Sequence, residues 1–191
     1  MNLKIKLNNI DFKNILSGSD LEVLEILNIR NEDNIRVNMF NKNLITLNEH
    51  LSWFGSLKTS KKNIFYLIQY NKKTIGGLGL KKSHLNSHDF VWSFYISQKI
   101  KIFGLGSLIE YKAIDYFFST YKIINLFCYV LIKNKLVEKL HRKFGFVDSV
   151  VDKNFNLIYP NVRTCDIFYL HLKKKKWKSV KKKFYNKFLR I

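Results

Sequence analysis

The sequence predicts an α/β fold, with strands and helices mixed around one sheet. Two observations point there. Short apolar runs rich in β-branched and aromatic residues alternate with segments of helical periodicity, in the order strand, two helices, three strands, helix, strand, helix, strand. The chain has 191 residues, 47% hydrophobic and 25% charged, which suits a single core and excludes a disordered chain. Pro160 is the only proline, so no Pro-rich linker divides the chain, and no internal repeat is visible.

The elements follow in order. "LKIKLNNIDF" alternates roughly and predicts a strand. "SDLEVLEILNIRN" predicts a helix capped by Ser19 or Asp20, with Leu21, Leu24, Ile26 and Leu27 inward. "TLNEHLSWFGSL" carries a capping box, Thr46 with Glu49, ahead of Leu51, Phe54 and Leu57. In "NIFYLIQYNKKTIGGLGL" two β-rich runs flank "NKK" and predict a hairpin, and "DFVWSFYI" predicts the next strand. A helix follows in which Leu105, Ile109, Ala113 and Phe117 share one face. "KIINLFCYVLI" reads as a buried strand. "NKLVEKLHRKFGF" reads as a short helix closed by Gly145, and "VRTCDIFYLHL" as the last strand.

Composition limits the function. No apolar run approaches the roughly 18 residues a membrane span needs, and the N-terminus lacks the apolar stretch of a secretory signal. Cys128 and Cys165 sit in apolar contexts and are expected to be buried free thiols, which fits a reducing cytoplasm. No metal site is expected: His84 and His88 are four apart, but "SHLNSHD" reads as a loop. The net charge is +20, and residues 173–191 supply half of it, with nine lysines, one arginine and no acid. Abundant Lys, Asn and Ile also fit an AT-rich genome.

Gly104 and Gly106 stand at a particular junction, just after the run "FVWSFYI" and just before a helix. A strand that feeds a Gly-rich turn and a helix N-terminus is an anion site, because unpaired N–H groups and the helix dipole both favour negative charge there. A turn that needs glycine only for steric reasons is the alternative. The stretch is neither a dinucleotide fingerprint, since position 109 is Ile, nor a P-loop, since no Gly-Lys-Ser/Thr follows.

"QKIKIFGLG", residues 98–106, resembles the acetyl-CoA signature of the GNAT superfamily of N-acyltransferases, Gln/Arg-x-x-Gly-x-Gly/Ala, with Lys101 as a departure in the first position. "NKLVEKLHRKFGF", residues 134–146, resembles the family's second signature, an Asn followed by a short helix and Tyr-x-x-x-Gly-Phe. The resemblance covers residues 1–172 and implies a single mixed, mostly antiparallel sheet flanked by helices. It implies acetyl-CoA as co-substrate, with its pyrophosphate cradled by the N–H groups of Ile102, Phe103, Gly104, Leu105, Gly106 and Ser107. Phe94 and Ile96 would bond the pantetheine arm through their main chain. Asn134 would bond it too, unless it is simply a helix cap. Lys101 would approach a phosphate, unless it is a solvated lysine. The family's tyrosine, often the acid that protonates departing CoA thiolate, is His141 here. It would be that acid, or a surface residue on a basic helix. Asp89 is the first candidate for the base, with His88 and Ser93 behind it.

The N-terminal third resembles a narrower group, the bacterial nucleotide-sugar N-acetyltransferases of the pseudaminic acid pathway. The resemblance lies in "IRN" at Arg30 and Asn31, "IRVNM" at Arg36 and Met39, and "ITLNEHLSWF" around His50 and Trp53. It implies that Arg30 and Arg36 pair with nucleotide phosphates, and that Met39, His50 and Trp53 wall the sugar or base. Acetylation of a ribosomal-protein N-terminus is the runner-up, weakened by the lack of an acidic cluster beyond Glu32 and Asp33. A non-enzymatic binder docking through its basic tail is the third reading. In that tail, residues 173–191, Trp177, Val180, Phe184 and Phe188 form an apolar stripe among lysines. The pattern suits peripheral docking on an anionic membrane, less readily nucleic acid, or a helix packed back on the domain.

Overall fold

The computed structural model describes residues 3–83, 86–151 and 155–189. Seven strands form one sheet in the order β1-β2-β3-β4-β5-β7-β6. They are β1 (Ile10–Asn14), β2 (Asn63–Tyr70), β3 (Lys73–Lys82), β4 (Asp89–Ile96), β5 (Asn125–Leu131), β6 (Val147–Asp148) and β7 (Ile167–Lys173). The sheet is mixed, since β4 pairs parallel with β5 while β1–β2, β2–β3, β5–β7 and β6–β7 pair antiparallel. Two compact units share the chain, one made of residues 1–82 and 92–109, the other of residues 83–91 and 110–191.

The first unit begins with α1 (Leu3–Asn8), where a strand was expected, and the strand starts only at Ile10. The reason lies in its partner. β1 pairs with β2 from Asn14↔Tyr66 to Ile10↔Tyr70, one more bond joins the Asn71 N–H to the Asn9 carbonyl, and β2 has by then ended at the hairpin, so it offers no partner to residues before Asn9. That hairpin is a two-residue turn with Asn71 and Lys72 both at positive φ, 50° and 65°, as the twist of a tight hairpin demands. Helix α2 (Asp20–Arg30) starts at a full capping box between Ser19 and Glu22. Its inward residues are Val23, Ile26, Leu27 and Ile29, while Leu21 and Leu24 stay exposed. After α3 (Asp33–Arg36), α4 (Leu47–Thr59) starts at the Thr46–Glu49 capping box. Ile15, Val23, Ile26, Ile29, Ile35, Leu57 and Leu67 form this unit's core.

The second unit is built on β5, paired along its length with β7 from Asn125↔Lys173 to Leu131↔Ile167. Helix α5 (Leu105–Thr120) precedes β5, α6 (Lys135–Lys143) follows it, and α7 (Phe155–Ile158) is one turn. Gly145 closes α6 at φ 89°, the left-handed conformation expected of a C-terminal glycine cap. Cys128 is buried on β5, but Cys165 is exposed in a tight turn just before β7, so the expectation of two buried thiols holds for one.

The basic tail forms α8 (Lys174–Phe188). Its apolar stripe is not free for a membrane. Trp177 and Phe184 are buried, with Phe184 stacked on Tyr111 at 4.8 Å and tilted against Phe144 at 5.1 Å. The Trp177 indole N–H donates to Asp115, and Lys181 pairs with the same carboxylate at 2.7 Å. The stripe meets the second unit's own aromatics, which removes the apolar face an anchor would insert. The side chain of Phe188 and residues 190–191 lie outside the described residues, as does His84. Among the described residues no helix is long and apolar enough to cross a membrane, and no cluster of three or more metal-ligating side chains exists.

Candidate active site

The glycine turn has the geometry the sequence anticipates. Gly104 sits at φ 77°, a conformation that costs other residues roughly 1–2 kcal/mol. Its carbonyl accepts the Leu108 N–H, and the Leu105 N–H turns back to Ile102. A helix leaves its first N–H donors without intrahelical acceptors, so Gly106 and Ser107 present theirs at the positive end of a 16-residue helix. Beside them is a cleft of about 220 Å³ lined by Ile96, Ser97, Gln98, Ile100, Lys101, Ile102, Leu105 and Gly106. Cationic, donor-rich and partly apolar, it can take a diphosphate that carries an apolar arm.

One carboxylate holds the rim of this cleft. Glu32 accepts from the Ser97 hydroxyl at 2.6 Å and from the Gln98 N–H at 3.2 Å, with the Lys99 ammonium 3.8 Å away. Glu32 also begins the loop from Asn31 to Ile45. There the Asn31 side chain bonds both the carbonyl and the N–H of Ile45, and Arg30 donates to the Asn41 carbonyl.

That loop contributes to a second cavity, of about 300 Å³, lined by Arg30, Ile45, His50, Trp53, Phe65, Gly79, Ser93 and Tyr95. Its walls are aromatic: Trp53 lies tilted on His50 at 5.1 Å and edge-on to Phe65 at 5.0 Å. Its charge is a single guanidinium. Burial lowers the Arg30 pKa from the ordinary arginine value, yet arginine stays a cation in proteins, and Nη1 is buried with no hydrogen-bond partner. Burial raises the Tyr95 phenol above its ordinary range, so it is a proton donor at neutral pH. Burial lowers the His50 pKa, partly offset by a bond from Nε2 to the Val23 carbonyl at 2.8 Å. Among the described residues, no carboxylate lines this cavity.

The sequence of a GNAT acetyltransferase domain matches residues 14–167. The chain belongs to the GNAT acetyltransferase family. It is an acetyl-CoA-dependent N-acetyltransferase. No curated protein sequence matches it significantly. Among solved structures, the Campylobacter jejuni N-acetyltransferase PseH is 20% identical, with a TM-score of 0.63 over 87% of this chain and 99% of that one. The Vibrio cholerae spermidine N-acetyltransferase with CoA and spermine is 14% identical, with a TM-score of 0.73 over 90% and 99%. FdhC, a nucleotide-linked sugar GNAT, is 19% identical, with a TM-score of 0.72 over 99% of both chains. At such identities the likeness is one of fold.

Within this GNAT domain the structure sorts the residues that the sequence singled out. Ile96, Lys101, Ile102, Leu105 and Gly106 line the cleft. Phe103 is 90% exposed and offers its carbonyl to Lys6, while Phe94 stacks on Trp92 at 5.4 Å. Asn134 belongs to the second unit and caps α6 by accepting the Val137 N–H. On the acceptor side Arg30, His50 and Trp53 line the larger cavity, but Asn31, Arg36 and Met39 do not. Arg36 spends its guanidinium on the Asn31 and Lys42 carbonyls and on Asp33, which leaves no fork for a phosphate. Asn31 staples the loop, and Met39 packs on the first unit's core.

The two catalytic candidates also find partners. Asp89 lies at the start of β4, where Oδ1 accepts from the Asn125 side chain at 2.7 Å, so it ties the β4–β5 pair and is absent from the cavity lining. His141 is buried, contrary to the surface alternative, with Nδ1 2.8 Å from Glu110 and Cys128 as its other hydrogen-bonding neighbour. Burial works against the charged ring, but the Cys128 side chain and the Glu110 carboxylate prevail and hold its pKa well above the ordinary value. Glu32, Tyr95 and Glu110 were missed by sequence reasoning. For Tyr95 a signal existed: it shares strand parity with Ser93, opposite the Phe94 and Ile96 face.

Proposed function

We propose that this chain transfers acetyl from acetyl-CoA to the 4-amino group of a nucleotide-linked amino-deoxysugar, a step in making cell-surface glycan or flagellin sugars. The observation that carries this reading is the lining of the 300 Å³ cavity: one buried cation with an unpartnered Nη1, aromatic walls and no carboxylate. An anionic or hydroxyl-rich acceptor supplies the oxygen that Arg30 lacks, and aromatic faces suit a deoxysugar or a base. A polyamine would place its ammonium groups beside that guanidinium in a low-dielectric site, with no carboxylate lining the cavity to receive them. The same argument disfavours the charged N-terminus of a basic peptide. PseH and FdhC, a nucleotide-linked sugar GNAT, support the sugar reading as relatives in fold, and the spermidine N-acetyltransferase is the competing precedent.

In this reading the turn from Ile102 to Ser107 holds the CoA pyrophosphate through backbone N–H groups, aided by Lys101, and the main chain of Phe94 and Ile96 bonds the pantetheine arm. Acetyl-CoA supplies an activated thioester, and the acceptor nitrogen attacks its carbonyl carbon.

A thiol-release assay tests the acceptor. A UDP-linked 4-amino-4,6-dideoxy sugar, its dTDP counterpart, spermidine and a ribosomal-protein N-terminal peptide are offered with acetyl-CoA. Turnover is expected with a nucleotide sugar only, and turnover with spermidine or peptide alone would overturn the reading.

A further inference from the structure

The acceptor nitrogen must lose a proton before it can attack, because primary amines titrate at roughly 8 to 10 and arrive largely as ammonium. Few residues lining the cavity can receive it. Arg30 is a permanent cation, burial keeps the Tyr95 phenol protonated, and the Ser93 hydroxyl is far too weak a base. His50 differs. A backbone carbonyl only accepts, so the 2.8 Å contact with the Val23 carbonyl places the ring hydrogen on Nε2. In the neutral ring the lone pair then lies on Nδ1. Burial favours that neutral form, and the two titratable groups that share its cavity, Arg30 from the end of α2 and Tyr95 from β4, do not stabilise an imidazolium. The Val23 bond and the Trp53 ring, 5.1 Å away, fix its orientation.

We propose that Nδ1 of His50 is the general base of the acetyl transfer, accepting the acceptor's proton directly or through one water. The inference rests on the reading of this cavity as the acceptor site. The balance is simple. The ammonium gives one proton to Nδ1, and the freed lone pair forms the C–N bond as the C–S bond breaks. The nitrogen's second proton passes to the thiolate, and the imidazolium later releases its own to water. The products are the amide, the CoA thiol and one proton.

His50→Gln tests it, since the glutamine amide can still donate to the Val23 carbonyl but has no basic nitrogen. The variant should melt and bind CoA like the wild type, lose about 100-fold or more in kcat/KM, and lose the acid limb of its pH profile. An unchanged rate and profile would overturn the proposal. Imidazole nitrogen NMR of the free wild-type protein reads the same point without turnover. It should find the Nε2–H tautomer, with Nδ1 titrating below the ordinary value of about 6.5, and an Nδ1–H tautomer would sink the idea even if His50→Gln failed to fold. Wild-type protein that ignores every nucleotide sugar but acetylates another amine, with the acid limb lost in His50→Gln, would refute the nucleotide-sugar reading and leave the base assignment supported.

Discussion

The Glu32 carboxylate accepts the Ser97 hydroxyl at 2.6 Å, so one side chain at the start of the acceptor-side loop holds the rim of the glycine-turn cleft. A second bond reaches it from the Gln98 N–H. Hydrogen bonds to a charged group are worth about 1.5–3 kcal/mol, or roughly tenfold and more in affinity. Glu32→Ala should therefore raise the Kd for acetyl-CoA by about tenfold, measured by titration calorimetry, and should also loosen the loop. An unchanged Kd would mean the rim holds its shape without this carboxylate.

Gly104→Ala forces a β-carbon onto a residue at φ 77°. A stability loss of about 1–2 kcal/mol is expected, with weaker CoA binding as the turn relaxes. Denaturant unfolding and CoA titration on the same sample check both. The mutation would be harmless if the turn could flip to negative φ at no cost.

Arg30 and Arg36 should separate cleanly. Arg30→Met keeps much of the bulk and removes the unpartnered Nη1, so the acceptor KM should rise by about tenfold or more, with the Kd for acetyl-CoA unchanged. Arg36→Ala should instead lower the melting temperature, because its three bonds tie the loop together. Steady-state kinetics and thermal unfolding tell the two roles apart.

His141 and Glu110 make a stability prediction. The histidine pKa is raised in the folded chain, so its stabilising contribution is complete below the unfolded value of about 6.5 and is lost as pH climbs through the higher folded value. Unfolding free energy should fall on the alkaline side of neutrality. Glu110→Gln removes the partner of a buried charge, should cost about 3–5 kcal/mol near neutral pH, and should flatten that slope. A slope that survives in Glu110→Gln would show that another group causes it.

Trp177→Ala should destabilise the fold by about 3–5 kcal/mol, the range for truncating a buried large aromatic. Liposome binding by the intact chain should stay negligible at physiological salt. Strong vesicle binding that vanished in this variant would restore the anchor reading.

Local signals were written plainly. The helix cap at Ser19, the capping box at Thr46–Glu49, the hairpin at Asn71–Lys72 and the glycine closing α6 all appear where short-range chemistry predicts them. Each depends on groups within a few residues of one another, so the neighbours that decide it are adjacent in the chain. The start of β1 was misread because its length depends on where its partner strand turns away, at Tyr70 opposite Ile10. The inward face of α2 was misread for a similar reason. Leu21 and Leu24 are as apolar as Val23 and Ile29, and only the packing partner chooses between the two stripes.

The sequence by itself determined the glycine turn, the helix caps and the order of the long central elements, because backbone freedom, capping and periodicity are properties of neighbouring residues. Only the tertiary structure decided which charged and aromatic side chains are free to act. Arg30 and Arg36 look alike in the chain, yet one guanidinium has an unpartnered nitrogen in a cavity and the other is consumed by carbonyls five and six residues away. The tail's apolar stripe likewise fits a membrane or a protein core equally well on paper. Burial against Tyr111 and Phe144 settles it, because a face already packed has no surface left to remove from water.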